Sequence, residues 1–325
     1  KNFCKKILNS GNIPTAKHQS FSDSKAAINY LKDQSMPIVV KADGLAAGKG
    51  VFIMDNHKEA CELINDLFSG KIDGIKTSLI IIEEFLKGEE ASFICLVSGD
   101  QIIPLASSKD HKKLSNGDLG PNTGGMGAYS PTKLIDSKTT DMVIDKIISP
   151  TLNELKKIGI EYKGFLYAGL MIDKFKNPFV LEYNCRLGDP EAQAILMRLE
   201  SDIIDMFLAV ANDNLDNIDI KWKNESACTI VLASEGYPGK YDKEKIIEGL
   251  DHKVNGTKIF HSGTKTYDGV FVTDGGRVLS VTALGVNLQV AQAKAYDRCN
   301  QISWEGKIKR HDIGEKEISN KFIFS

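Results

Sequence analysis

Lys41-Ala42-Asp43-Gly44-Leu45-Ala46-Ala47-Gly48-Lys49-Gly50 is the stretch on which the reading of this chain turns. It lies between Pro37-Ile-Val-Val-Lys41 and Val51-Phe-Ile-Met54, two runs of β-forming residues. A P-loop requires four residues between its glycines, then Lys and Ser or Thr, then a helix. Here three residues separate Gly44 from Gly48, Gly50 stands where the hydroxyl belongs, and a strand follows. Strand, glycine loop, strand describes a hairpin lid. Its glycines let backbone N–H groups converge on an anion, Lys49 adds a mobile charge, and Lys41 stands at the strand end. A flexible surface turn that contains lysine fits the same residues.

Further along, Glu182 and Asn184 are two apart on a predicted strand, so alternation places both on one face and Leu181 and Tyr183 on the other. A carboxylate beside an amide oxygen suits a hard divalent cation that shares its shell with phosphate; a solvated strand face fits as well. Cys185-Arg-Leu-Gly-Asp-Pro-Glu191 then carries Arg186 and Asp189 to the start of a helix, where anions are favoured. Asp189 reads as that helix's cap and Pro190 as its first residue, with the helix running to about 212. Ile81-Ile-Glu-Glu-Phe-Leu86 is an apolar strand that ends in acids, and Glu90 follows it at a distance that suits ribose hydroxyls. Residues 107–131 read as a long loop. They contain Asp110, which can hold an amine, and Gly124, Gly125 and Gly127, which expose backbone N–H donors.

Bulk composition limits the alternatives. The 325 residues suit two or three domains. The chain is 42% hydrophobic and 26% charged, with a formal charge of −2, so it has no field to gather nucleic acid or anionic lipid. Anionic substrates must be held by local groups. The six cysteines form no CxxC pair and read as reduced thiols of a cytoplasmic protein. No apolar run reaches membrane-spanning length and no signal-peptide pattern is seen. The chain opens without methionine inside a predicted helix, and a fragment of a longer polypeptide is expected. Residues 212–225 read as a linker, strands dominate beyond it, and Asp274-Gly275-Gly276 reads as a hairpin turn.

Taken in order, several runs resemble the phosphoribosylamine–glycine ligase family of purine biosynthesis. They are 41–50; Ile-Glu-Glu-Phe-Leu-x-Gly-Glu-Glu-Ala-Ser-Phe (82–93); Gly-Pro-Asn-Thr-Gly-Gly-Met-Gly-Ala-Tyr-Ser-Pro (120–131); Gly-Phe-Leu-Tyr-Ala-Gly-Leu-Met (164–171); and Glu-x-Asn-Cys-Arg-x-Gly-Asp-Pro-Glu (182–191). Gly-Tyr-Pro-Gly (236–239), His-x-Gly-Thr-Lys (261–265) and Gly-Gly-Arg-Val-Leu (275–279) extend the match.

The resemblance implies an α+β chain: an ATP-grasp two-lobe fold over 1–222, with a small lobe at about 16–86, and a smaller β-rich C-terminal domain over 223–325. The family's N-terminal α/β domain is absent from this chain. Lys1, Lys41, Gly48, Lys49 and Gly50 would hold ATP, Lys41 and Lys49 at its phosphates. Glu83, Glu84 and Leu86 would meet adenine and Glu90 ribose. Glu182 and Asn184 would bind Mg2+ or Mn2+. Asp110, Asn122, Thr123, Gly124, Gly125, Arg186, Gly188, Asp189 and Pro190 would shape the substrate pocket, with Arg186 and Lys49 catalytic. The implied substrates are ATP, glycine and 5-phosphoribosylamine, used by a monomer. Another ATP-grasp carboxylate–amine ligase, a biotin-dependent carboxylase and an inactive nucleotide-binding module are the rivals.

Overall fold

Runs 37–41 and 51–54 fold back on each other as β2 (Ile38–Ala42) and β3 (Val51–Met54), in register from Ile38 opposite Met54 to Lys41 opposite Val51. The structure, a computed structural model, describes residues 1–44, 50–72 and 74–322. With β1 (His18–Phe21) and β4 (Ile80–Glu84) these strands form an antiparallel sheet of order β1-β4-β2-β3. Strand alternation sends Val40 and Ile82 to one face, where α2 (Ser24–Leu31) and α3 (His57–Ser69) bury Leu31, Ile64 and Leu67 against them. Asp23 and Asn56 cap these helices through the N–H groups of Ala26 and Glu59. Lys41 and Glu83 therefore point to the opposite face, toward the second lobe.

That lobe is built on a sheet of order β12-β11-β5-β6, formed by β5 (Glu89–Ser98), β6 (Gln101–Pro104), β11 (Lys163–Ile172) and β12 (Pro178–Asn184). One face is covered by α1 (Asn2–Ser10), α4 (Ser137–Val143) and α5 (Ser149–Lys157), which enclose Leu8, Phe93, Ile147, Leu152 and Leu170. A π-type turn at 144–148 joins α4 to α5 just before Pro150, where a missing N–H is accommodated. The other face meets α7 (Ile203–Ala211) through Leu96, Tyr167 and Met206.

The third sheet has the order β14-β17-β13-β10-β7, with β18 (Lys307–Ile308) on β13. Its central strands are β13 (Ser226–Ser234) and β17 (Arg277–Gly285), flanked by β14 (Thr257–His261), β10 (Gly127–Ser130) and β7 (Lys109–Asp110), and α8 (Leu288–Asn300) packs on it. This sheet crosses the border drawn at 222/223, because β7 and β10 belong to the earlier region.

Several expectations are corrected. The stretch 107–131 is not a long loop: besides β7 and β10 it holds the ribbon β8 (Lys113–Ser115) and β9 (Leu119–Asn122). The buried Arg310 pins that ribbon, donating to the Lys113 carbonyl and pairing with Asp118 and Asp312. The helix expected to run to 212 is two helices, α6 (Glu191–Arg198) and α7, broken where Leu199 bridges to Trp222. Residues 212–225 are no free linker, since Leu215 is buried and Ile218, Ile220 and Trp222 pack beside it. Asp274-Gly275-Gly276 closes no hairpin: β16 (Val270–Thr273) pairs with β15 (Thr264–Tyr267), while β17 pairs with β13 and β14. A short α9 (Glu315–Ile318) is the last helix among the described residues, its Glu317 accepting from Tyr129 and Thr132 on the approach from β10.

Ile230 lies on β13 opposite both Val281 and Gly127 and is fully buried. Ile230→Ala is expected to lower unfolding free energy by about 2–5 kcal/mol, read from urea midpoints at unchanged slope.

Candidate functional site

The cleft is organised by charge pairs that bridge the sheets. Glu83 is buried, and its Oε2 lies 3.0 Å from Lys41 Nζ and 3.1 Å from Lys5 Nζ. Lys41 Nζ also donates to the carbonyl of Leu181 at 3.0 Å. The β11–β12 register slips at this point, from Gly169 opposite Glu182 to Leu170 opposite Val180, so Leu181 is the bulged residue. Its unpaired carbonyl takes the lysine. Lys41 thereby reaches the backbone beside Glu182.

Glu182 and Asn184 stand opposite Gly169 and Tyr167 with no slip between them, and so share a face. Tyr183 points the other way and bonds to Thr151 on α5. A Cβ on Gly169 would come within 3.2 Å of Glu182 Cγ, so glycine there makes room for the carboxylate. Opposite stands Lys112, its Nζ 3.2 Å from Glu90 and 3.8 Å from Glu182. Glu90 holds the Lys112 ammonium well above its ordinary range, and Lys112 in turn holds the Glu90 carboxyl below the usual carboxylate range.

Next to this cluster is a pair of acids, Asp110 and Glu191. Glu191 is buried at the start of α6 and accepts from Ser92 at 2.9 Å and Tyr167 at 2.6 Å. Asp110 Oδ1 is buried without a hydrogen-bond partner. Burial, then repulsion from Glu191, pushes Asp110 well above the ordinary carboxylate range. Gly125 has φ +115, and a Cβ there would meet Pro190 Cδ at 2.4 Å and Asp110 Oδ1 at 2.7 Å, so only glycine lets this turn pass.

The structure thus brings Lys41, Glu90, Lys112, Glu182 and Asn184 to one cleft, with Asp110, Gly125, Pro190 and Glu191 beside them. Lys1 donates to the Gly44 carbonyl, and the Gly50 carbonyl accepts from the Ala42 N–H. Gly48 and Lys49 lie outside the described residues. The Glu83 side chain pairs with Lys5 and Lys41, and its backbone sits mid-sheet between β1 and β2. The Glu84 carboxylate accepts from the Lys17 N–H, which leaves the strand exit toward Leu86 as the free edge. Thr123 is also committed: its hydroxyl donates to the Lys112 carbonyl and accepts from Gly125 N–H. Its neighbour Asn122 lies on β9 opposite Lys113.

Asp189 does not cap α6, whose N-cap is Pro190 without a side-chain bond. It pairs with Arg277 at 2.8 Å and accepts from Gln193. Gly188 has no room for a Cβ, which would meet the Glu191 carboxyl at 2.4 Å. Arg186 is exposed and donates to the Leu187 carbonyl. Lys112, Glu191, Tyr167 and Arg277 are not among the sequence candidates; Lys112 stands two residues after Asp110, and Arg277 falls in the 275–279 run without a local chemical signal.

The chain matches the family model described as phosphoribosylglycinamide synthetase, ATP-grasp (A) domain, over residues 1–192, and the C domain of the same synthetase over 227–316. It is 47% identical to phosphoribosylamine–glycine ligase of Vibrio parahaemolyticus, over 99% of this chain and 75% of that protein. It is 45% identical to the chloroplastic enzyme of Arabidopsis thaliana, over 99% of this chain and 62% of that one. Among solved structures, phosphoribosylamine–glycine ligase from Thermotoga maritima superposes with a TM-score of 0.88 at 36% identity, over 96% of this chain and 78% of that one. A biotin carboxylase domain from Hydrogenobacter thermophilus shares the fold at a TM-score of 0.73 and 16% identity.

His111, between Asp110 and Lys112, is buried, and burial and then Arg310 depress its pKa to about 3. The folded protein keeps it neutral while the unfolded chain takes up a proton below about pH 6.5. Stability is therefore expected to fall as pH drops from about 6.5 toward 3. His111→Asn should flatten that limb in urea titrations at stepped pH, whatever its effect at pH 8. By the two domain matches and the long relatives, the chain belongs to the phosphoribosylamine–glycine ligase family of ATP-grasp enzymes.

Proposed function

We propose that this chain carries the nucleotide and substrate clefts of a ligase that joins glycine to 5-phosphoribosylamine at the expense of ATP, by way of glycyl phosphate. The observation that carries the reading is the convergence of Lys41, Glu182, Asn184 and Lys112 beside the Asp110–Glu191 pair. A carboxylate is a poor electrophile, since its charge repels nucleophiles and it offers no leaving group. Transfer of the γ-phosphoryl group to a glycine carboxylate oxygen releases ADP and creates a leaving group. The amine nitrogen of phosphoribosylamine then bonds to the acyl carbon, phosphate departs, and the nitrogen loses a proton.

The donor set fits a magnesium or manganese ion. Among the described residues no three acidic, histidine or cysteine side chains gather to hold a metal by themselves. Two protein oxygens, from Glu182 and Asn184, suit an ion that completes its shell with phosphate and water. The Lys112 ammonium, drawn in by Glu90 and Glu182, marks the position as one that favours a cation. When bound, the ion would offset phosphate charge.

The chain's own residues do the rest. Lys41 is fixed by Glu83 and the Leu181 carbonyl, so its charge is preorganised at the phosphate end. Lys1, which donates to the Gly44 carbonyl, stands at the same end. The strand exit at Glu84 and Leu86 offers backbone groups to adenine. Glu90 can accept ribose hydroxyls with Lys112 beside it. Asp110, with a buried oxygen that has no partner among the described residues, is suited to an amine, and Gly125, Gly188 and Pro190 form a close-packed wall beside it. Arg186, exposed at the rim, is free to turn toward an anionic group.

Replacing Glu182 and Asn184 together with alanine in the full-length protein is expected to cut ATP turnover by about 10³-fold or more while leaving the circular-dichroism spectrum and melting cooperativity intact. Turnover close to that of the unaltered protein would sink the metal assignment. ADP release that requires both glycine and phosphoribosylamine is expected; release with bicarbonate, or with glycine alone, would favour the rivals. The chain is expected to work as a monomer in the cytoplasm. Among the described residues no helix is long and apolar enough to cross a membrane.

A further inference from the structure

We infer that Arg277, at the start of β17, is a positioning residue of the substrate pocket, and that with Tyr237 it makes the C-terminal domain a working wall of that pocket. The inference rests on the ligase reading above. Arg277 Nη1 donates to the carbonyls of Gly124 at 2.9 Å, Gly125 at 3.4 Å and Asp189 at 2.8 Å, and Nη2 meets Asp189 Oδ2 at 2.8 Å. One guanidinium thus ties the 124–125 turn to the 189–190 turn. These are the two segments that press Pro190 and Gly125 against Asp110. The Tyr237 hydroxyl accepts from the Gly124 N–H at 2.9 Å, so the same turn is gripped from both its donor and its acceptor side.

The base of this bracket is built for aim. The β13–β17 register slips from Leu232 opposite Leu279 to Ala233 opposite Arg277, so Val278 is the bulged residue, immediately after Arg277. Bulges re-aim side chains and gather beside active sites. The Arg277 carbonyl accepts from Gly263, and the Gly276 carbonyl from Ser234. A Cβ on Gly276 would meet Tyr237 at 2.3 Å, and one on Gly263 would meet Gly275 at 2.5 Å. The three C-terminal runs that no local chemistry explained, 236–239, 261–265 and 275–279, therefore meet at one point. That point touches the Asp110 end of the cleft and, among the described residues, forms no hydrogen bond or ion pair with Lys41, Glu90 or Glu182.

This geometry separates a positioning role from a general tether between domains. Loosening the bracket should disturb binding of glycine and phosphoribosylamine and spare ATP. Steady-state kinetics of full-length R277A are expected to show KM for glycine and phosphoribosylamine raised about tenfold or more, with KM for ATP within about twofold. R277K keeps one ion pair to Asp189 but loses the fork, and should fall between. Y237F, which loses the hydroxyl that accepts from Gly124, should raise the same two constants by a few fold. If R277A does not fold, R277K and Y237F decide the matter. Unchanged KM values for glycine and phosphoribosylamine, or an ATP KM that rises in step with them, would overturn the inference. Absence of glycine- and phosphoribosylamine-dependent ADP release from the unaltered protein overturns the ligase reading, and this inference with it.

Discussion

A single buried carboxylate joins the two lobes. Glu83 would be costly to ionise alone in an apolar interior, where losing one partner of a buried pair costs about 3–5 kcal/mol. It is matched by two ammonium groups, from Lys5 on α1 and Lys41 on β2. Lys5 also donates to Thr15, whose hydroxyl donates to the Val180 carbonyl, and Lys41 donates to Leu181. Both lysines thus lean from the small-lobe acid onto β12. The bulge that frees the Leu181 carbonyl also sets the phase of the strand, and with it the face on which Glu182 and Asn184 emerge. The small-lobe sheet and β12 are held in register through this joint.

From that joint the charges alternate along the cleft: Lys41, Glu182, Lys112, Glu90, then the protected pair Asp110 and Glu191. Alternation explains how a protein with a net charge of −2 can serve highly anionic substrates. The field is short-ranged, and each cation is held in place before a ligand comes. Lys112 is the clearest case, since its ammonium lies between two carboxylates that a nucleotide-bound cation would also seek. The acidic end is opposite in character. Its carboxyls are buried against Ser92, Tyr167 and Pro190, where a neutral or amine partner is the complementary one.

Much of this was legible before folding. Alternation along 182–184 needed only the strand period, and the failure of 44–50 as a P-loop needed only counting. What sequence could not give was long-range commitment of side chains. Glu83 reads as a strand-end acid, yet its partners are Lys5 and Lys41, 78 and 42 positions away. Asp189 reads as a cap by local rule, but Arg277, 88 residues on, claims its carboxylate. The stretch 107–131 has loop composition in part because Gly124, Gly125 and Gly127 serve close approach. Gly127 lies against Thr229 backbone with no room for a Cβ, and that contact turns a polar segment into a sheet strand. Helix 191–198 ends where Leu199 pairs with Trp222, again a tertiary event.

The glycines of the two loops serve opposite needs, and the difference implies a division of labour. At Gly44, φ is +92 and an added Cβ would find nothing within 4 Å, so glycine there answers to backbone conformation and open space beside the nucleotide end. At Gly125 the added atom would strike Pro190 and Asp110, so glycine answers to tight packing. One end of the cleft, at Gly44, is loosely packed among the described residues. The other is close-packed, with Asp110, Pro190 and Glu191 fixed before any ligand arrives. Discrimination for a small amino acid belongs at the rigid end, because a wall that cannot yield is what turns one extra methyl group into a clash. The C-terminal sheet stands behind that wall, which is a physical reason for the family to keep a third domain in contact with its catalytic cleft.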